Sequence, residues 1–459
     1  MNDAAPRLAA LAATLMGAPL PVRIRAWDGS EAGPLGGPIL VLANRRALRR
    51  ILWKPGELGL ARAWVAGDLT VDGDLFELLD RVGGLLWEPD REPGAEAPAQ
   101  NENKNKNKSK SKSKDNGKGA GPAALLRDPH ARAAVRSLVG LARPWTRPAP
   151  PPEEAHRRGG PGQPRHTRGS DRRAISHHYD VGNTFYERVL GPSMVYSCAY
   201  WTPGGSLEDA QRDKLDLVCR KLALRPGDRL LDVGCGWGSM ALHAAREYGA
   251  KVTGITLSRE QAAYARKRVA EEGLADLVEI RVQDYRDVKD GPYDAISSIG
   301  MAEHVGADRY RTYARSLYGL LRPGGRLLNH QIARRPEPDE EAYRIDEFID
   351  AYVFPDGELS PLGTTVGELE RAGFEVRDVE ALREHYALTL RAWVARLEEH
   401  WEEAQRLTSP GRARVWQLYM AASALAFEHN RLGVNQVLAV RTGTRSASGL
   451  PLRAREWPA

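Results

Sequence analysis

The chain has 459 residues, 42% of them apolar, a formal net charge of +6 and three cysteines. That length is too great for one ordinary core, so two domains with connecting segments are expected. Cys198, Cys219 and Cys235 form no CxxC pair, which argues against a disulfide scaffold or structural zinc and suits a reducing cytosol; no run approaches the roughly 20 apolar residues of a membrane span.

The opening residues, MNDAAPRLAALAATLMGAP, lack a basic cluster and a long apolar core, so they read as a short amphipathic helix rather than a signal peptide. Within residues 1–90, Val22, Ile24 and Ala26 alternate with arginines as a strand does. Asp28-Gly29-Ser30 reads as a turn, and Pro38 to Ala43 forms a second apolar run able to pair with the first. Ala47 to Trp53 and Asp74 to Leu86 have helical spacing. This part is expected to be a small α+β domain serving lipid binding or another accessory role.

Residues 91–170 read as a linker. The stretch 101–119 carries seven lysines against two acids and no apolar side chain, a composition expected to stay disordered. It is a solvated spacer or an electrostatic tether to anionic lipid, where each lysine near the surface contributes about 1 kcal/mol. No recognition motif accompanies the charge, so nucleic acid is not an expected partner. A short helix over Ala123 to Ala142 interrupts the region before proline- and glycine-rich composition returns.

From 171 to 459, apolar runs alternate with amphipathic stretches. Strands are expected at Arg229–Val233, Lys251–Thr256, Val278–Val282, Ala295–Ile299 and Arg326–His330. Helices are expected at Gly238–Tyr248, Arg259–Glu271 and Asp308–Leu321. That rhythm predicts a doubly wound α/β fold, a parallel sheet covered on both faces.

The first of these strands runs through Asp232 into Gly234-x-Gly236-x-Gly238 and then a helix. Glycines there let the backbone approach a ligand at the carboxyl edge of the sheet. The spacing is GxGxG rather than GxGxxG, and the next strand ends Gly-Ile-Thr-Leu-Ser258 without the acid a dinucleotide fold places on the ribose. The pattern points to S-adenosylmethionine (SAM), against a dinucleotide or a merely structural turn.

Further motifs follow in order: His178-Tyr179-Asp180-Val181-Gly182-Asn183, Met194-Val195-Tyr196-Ser197-Cys198-Ala199-Tyr200-Trp201, Gln283-Asp284-Tyr285-Arg286-Asp287, Glu303-His304-Val305-Gly306 and His385-Tyr386. Together with the glycine loop, over roughly 171–440, they resemble the cyclopropane-fatty-acid synthase family. That family includes phospholipid cyclopropane synthases and mycolic acid methyltransferases. The resemblance implies a Rossmann-like SAM-dependent methyltransferase domain with a helical insertion covering the lipid. It implies SAM contacts at Tyr196, Ser197, Asp232, Gly234, Gly236, Gly238, Thr256, Leu257, Ser258, Gln261, Asp284 and Tyr285. It also implies a bicarbonate ion acting as base, held by Cys198, Glu303, His330, the backbone of Ile332, and Tyr386. The expected substrate is the double bond of an unsaturated phospholipid acyl chain, met at the cytoplasmic face of the membrane; the resemblance leaves room for a homo-oligomer.

An alkene is a poor nucleophile and must be held in an aligned, dry pocket. Methylation leaves a carbocation, which aromatic faces can stabilise by about 0.5–2 kcal/mol each. Tyr179, Phe185, Tyr186, Tyr196 and Trp201 are candidates, although such rings also serve as ordinary core. Glu303 could equally cap a helix, and His330 could be a satisfied core histidine. His177-His178 lacks metal-site spacing and no HExxH occurs, so no metal is expected.

Two departures bear on the chemistry. Ser423 stands where some family members have a cysteine, which removes support for a covalent thiol mechanism. The motif from Phe427 to Val437, with Ala26–Ser30 and Glu57–Trp64, looks closer to a branch that makes methylene-bearing chains for a separate reductase. A methylene product is therefore favoured over a cyclopropane. The rival functions are a small-molecule methyltransferase and a non-enzymatic lipid-binding protein.

Overall fold

A computed structural model describes residues 3–87, 129–155, 167, 169, 181–340 and 343–452. The lysine-rich stretch and the His178-Tyr179 motif lie outside the described residues. The chain forms two compact units, 1–151 and 152–459.

In the first unit, helix α1 (Ala4–Met16) precedes strands β1 (Arg23–Arg25), β2 (Glu31–Ala32), β3 (Ile39–Leu42) and β4 (Leu69–Asp72). The four form one sheet in the order β2-β1-β3-β4, and β1 pairs with β3 in parallel. The expected pairing of the two apolar runs is therefore present, and Gly29 N–H closes the turn on Ala26 O at 2.9 Å. Helices α2 (Arg45–Trp53), α3 (Glu57–Val65) and α4 (Leu75–Trp87) complete the N-terminal run. Helix α5 (Pro129–Leu141) joins the same core through Leu138 with Ala142, packed with Ala5, Leu8 and Leu48. Its apolar spacing needed a partner face that composition did not reveal.

The second unit is built on a seven-stranded sheet ordered β10-β11-β9-β8-β5-β6-β7. Its strands are β5 (Arg229–Val233), β6 (Lys251–Thr256), β7 (Val278–Val282), β8 (Tyr293–Ile299), β9 (Leu321–Arg334), β10 (Glu375–Ala381) and β11 (Leu432–Val440). Helices α6 (Asn183–Leu190) and α7 (Leu207–Leu222) precede the sheet, while α8 (Ser239–Tyr248), α9 (Arg259–Glu271), α10 (Ala307–Leu320) and α11 (Leu362–Arg371) connect its strands. Helices α12 (Arg383–Glu399), α13 (Trp401–Leu407) and α14 (Pro410–Glu428) form the helical insertion between β10 and β11.

The sheet departs from the expected all-parallel form. β11 runs antiparallel to both neighbours, β9 and β10. Residues 434–440 of this strand are all buried, polar Asn435 and Gln436 included, so no alternation of buried and exposed positions marks which way it points. Local capping fixes the helices that flank the site. Ser206 Oγ accepts from Asp209 N at 3.1 Å at the start of α7, and Ser258 Oγ accepts from Gln261 N at 3.2 Å at the start of α9. Ser409 does the same for Arg412 N at 2.9 Å, with Pro410 opening α14. Among the described residues, no helix is long and apolar enough to cross a membrane.

Candidate functional site: a cleft at the carboxyl edge and a buried polar cluster beside it

Strand β5 ends at Val233, and the chain turns sharply into α8. Gly236 has φ +53°, and a Cβ placed there would point into space whose nearest atom is Gln261 Nε2 at 4.0 Å. Gly238 has φ +84°, and its Cβ would lie 3.0 Å from Ala265 Cβ on α9. One glycine therefore keeps a cleft open and the other lets two helices close. The cleft encloses about 1190 Å³, part of it open to solvent.

Tyr196, Ser197, Asp232, Gly234, Gly236, Thr256, Leu257, Gln261, Asp284 and Tyr285 all line it. Gly238 and Ser258 do not; they shape it from behind, as a helix contact and a helix cap. Sequence reasoning missed Lys214, Trp237, Met301, His304 and Arg309, which line it too. Trp237 carried a visible signal, since it interrupts the glycine loop itself. Lys214 carried none, being one more lysine on a charged helix.

The polar groups are held in place. Thr256 Oγ1 donates to Gln261 Oε1 at 2.8 Å, and Arg286 pairs with Asp284 at 2.6 Å. Asp232 accepts from Ser297 Oγ at 2.7 Å through one oxygen, while Oδ2 is buried without a partner. Burial lifts this carboxyl to about 6. A cradle without side-chain atoms next to an unmatched carboxylate oxygen fits a ligand that brings its own donors, as the nucleoside and amino-acid ends of SAM do.

The residues expected to hold bicarbonate do not line the cleft; Glu303 and Ile332 are bonded directly, and Cys198 and Tyr386 share one carbonyl. Within the segment 299–305, Ile299, Gly300, Met301, His304 and Val305 line the cleft. Glu303 of the same segment accepts from Ile332 N at 2.8 Å. His330 O accepts from Gly300 N at 2.9 Å. Ile332 pairs with Val434, whose carbonyl accepts from Leu382 N at 2.8 Å. The Leu382 carbonyl then takes Tyr386 N at 3.1 Å and Cys198 Sγ at 3.6 Å.

Burial controls this group. Glu303 Oε2 and His330 Nδ1 are buried with no partner. Desolvation raises Glu303 to about 7 and pushes His330 well below its usual value, so the imidazole is neutral. Burial also holds Cys198 as a thiol, its pKa driven far up. Two unmatched buried groups, one able to accept and one able to donate, fit a small oxygen-rich ion. The Ile332 N–H, expected from the resemblance to help hold such an ion directly, is engaged here by Glu303 Oε1.

Aromatic rings wall the region between α6, α12 and α14. Tyr186 lies 5.8 Å from Tyr196 and 4.6 Å from Trp237, and Tyr196 lies 5.3 Å from Trp393 and 5.9 Å from Trp416. Phe185 joins through Trp416 at 5.5 Å, and Tyr386 meets Phe427 at 4.8 Å. Trp201 stands apart: its backbone donates to His385 Nδ1 at 2.9 Å and its indole to Thr389 Oγ1 at 3.0 Å. The sequence candidates Phe185, Tyr186 and Tyr196 thus belong to one wall, completed by tryptophans more than a hundred residues later that no local motif marks.

Comparison with known proteins decides the family. The model of the mycolic acid cyclopropane synthetase family matches residues 166–437. The chain belongs to this family. It is 42% identical over 442 residues to a Mycobacterium tuberculosis protein named "Probable fatty acid methyltransferase", covering 94% of each chain. It is 39% identical over 273 residues to the cyclopropane-fatty-acyl-phospholipid synthase of Escherichia coli K12, covering 59% of this chain and 69% of that one. Among solved structures, a mycolic acid cyclopropane synthase in complex with S-adenosylhomocysteine (SAH) and CTAB is 33% identical, with a TM-score of 0.55 over 59% of this chain and 98% of that one. This member of the family is therefore a SAM-dependent lipid methyltransferase of the cyclopropane-fatty-acyl-phospholipid synthase type.

Proposed function

We propose that this enzyme methylates the cis double bond of an unsaturated phospholipid acyl chain at the cytoplasmic face of the membrane, giving a methylene-bearing chain that a separate reductase can saturate. The observation that carries the reading is that Glu303 Oε2 and His330 Nδ1 are both buried and unmatched, Glu303 belonging to the segment whose neighbours Met301, His304 and Val305 line the cofactor cleft. Methylation of a lone pair on oxygen or nitrogen also releases a proton, but it forms no carbocation that must be kept from water by an aromatic wall until a base removes the proton. Methylation of an alkene does.

When bound, SAM supplies a methyl group activated on a positively charged sulfur. The open face of Gly236, with Gln261 and Tyr196, would position it in the cleft. Tyr196, Trp393 and Trp416 would exclude water and present ring faces to a lipid carbocation. Bicarbonate, when bound, would supply the base. Glu303, lifted to about 7, can hold a proton at Oε2 at neutral pH, and neutral His330 can donate or accept at Nδ1. Cys198 and Tyr386, tied to the same Leu382 carbonyl, would close the ion's remaining sides. The first unit, with its own core, would serve lipid access.

The test is product analysis after incubation with SAM and oleoyl phospholipid vesicles. Vinylidene signals in the proton NMR spectrum are expected, at a rate that falls when carbonate is stripped from the buffer and recovers when it is restored. Upfield ring protons without vinylidene signals would replace the methylene product by a cyclopropane. An unmodified lipid beside a methylated water-soluble acceptor would refute the substrate class.

A further inference from the structure

Lys214 is 1% exposed, buried in α7 against the sheet. A buried ammonium is costly unless its three donors are matched. Its hydrogen bond goes to the neutral Ser197 Oγ at 2.9 Å. Among the described residues no carboxylate forms an ion pair with it; the acid that acts on it, through space, is Asp232. The other buried lysine of the same helix, Lys221, shows the contrast. It lies 2.5 Å from Glu380 Oε2, 2.8 Å from Gln436 Oε1 and 3.8 Å from Asp378. Lys221 is a matched structural charge, and Lys214 is not.

The unmatched charge faces the cleft. Lys214, Ser197 and Asp232 all line it, and Asp232 Oδ2 is a buried acceptor without a donor. An under-used cation and an unmatched carboxylate oxygen in one wall, not paired with each other, form a receptor for a zwitterion. The amino-acid end of the cofactor is such a group, with an α-carboxylate and an α-ammonium.

We propose that Lys214 is a cofactor-binding residue whose ammonium, steadied by Ser197, receives the α-carboxylate of S-adenosylmethionine while Asp232 faces the α-ammonium. The inference rests on the cofactor reading of this cleft. It explains why the chain retains a buried cation where methionine would fill the same volume at less cost. It also gives Ser197 a task, since its hydroxyl fixes where the ammonium stands.

The test uses three ligands on the full chain by calorimetry: SAH, its deaminated analogue, which keeps only the carboxylate, and its decarboxylated analogue, which keeps only the amine. In Lys214→Met, affinity for the first two should fall about tenfold to a hundredfold, the range of one charge-assisted hydrogen bond. Affinity for the decarboxylated analogue should hold or rise. Equal loss on all three would mark a structural role, and no loss on any would remove Lys214 from binding; either overturns the inference. A wild type that binds none of the three refutes the cofactor reading itself, and the inference with it.

The wild type supplies a second measurement should the variant not fold. The carboxylate of the deaminated analogue is ionised throughout pH 7 to 10, so only the protein's charge changes. Burial lowers Lys214 to about 8, with Cys198, Cys219 and Asp232 the titratable groups acting on it and His243 and His330 the groups that feel its charge. The protonated form binds, so affinity should fall toward tenfold per pH unit above about 8. A flat profile overturns the inference.

Discussion

Replacing Gly236 and Gly238 separately by alanine should split ligand binding from stability, although both lie in one loop. Both have left-handed φ, +53° and +84°, which costs an L-residue roughly 1–2 kcal/mol. At Gly236 that is the whole stability cost, because the added Cβ meets nothing closer than Gln261 Nε2 at 4.0 Å. At Gly238 the Cβ would stand 3.0 Å from Ala265 Cβ, inside the contact that packs the loop on α9. Overpacking of that kind adds about 1–3 kcal/mol. Gly238→Ala should therefore lose about 2–5 kcal/mol in urea unfolding, and Gly236→Ala about 1–2 kcal/mol. Calorimetry with SAH should show the opposite order: Gly236→Ala loses most of its affinity because the methyl occupies ligand space, while folded Gly238→Ala retains much of it. Wild-type SAH affinity in Gly236→Ala, or equal stability loss in the two variants, would refute the assignment of the two roles.

Glu303 is raised from 4.5 to about 7, so its neutral form is preferred on folding: the stability it contributes is full below pH 4.5 and is lost as pH rises through 7. Between pH 5 and 8 the wild type should lose about 2–3 kcal/mol that Glu303→Gln does not; parallel stability–pH curves from urea titrations would contradict the buried-carboxyl account. Deleting 101–119 should weaken binding to anionic vesicles at low salt while leaving SAH affinity intact, and unchanged vesicle binding would make the segment a spacer.

How much was legible in the sequence follows from how local each signal is. Strands β5, β6 and β7 and helix α9 match their expected limits residue for residue, because period, glycine and caps coincide in short windows. The reversed β11 was invisible, since a strand buried on both faces carries no sign of its direction. The cleft residues were legible as motifs, and most of them do meet in one wall. Trp201, expected among the cation-facing rings, has its indole committed to Thr389 instead.

The sequence by itself determined the local chemistry: a glycine loop that opens a cleft after β5, and short motifs each recognisable on its own. Those features depend on neighbours within a few residues, which is all that periodicity and turn chemistry sense. Only the tertiary structure decided which groups are matched. Lys214 and Lys221 sit on one helix and look alike in sequence, yet one meets Glu380 and Gln436 and the other meets a lone hydroxyl and a cleft. Glu303 became a near-neutral acid because Ile332, on a different strand, satisfies one oxygen and nothing satisfies the other. Desolvation and pairing are properties of the assembled interior, and they arise only when distant segments close around the same few atoms.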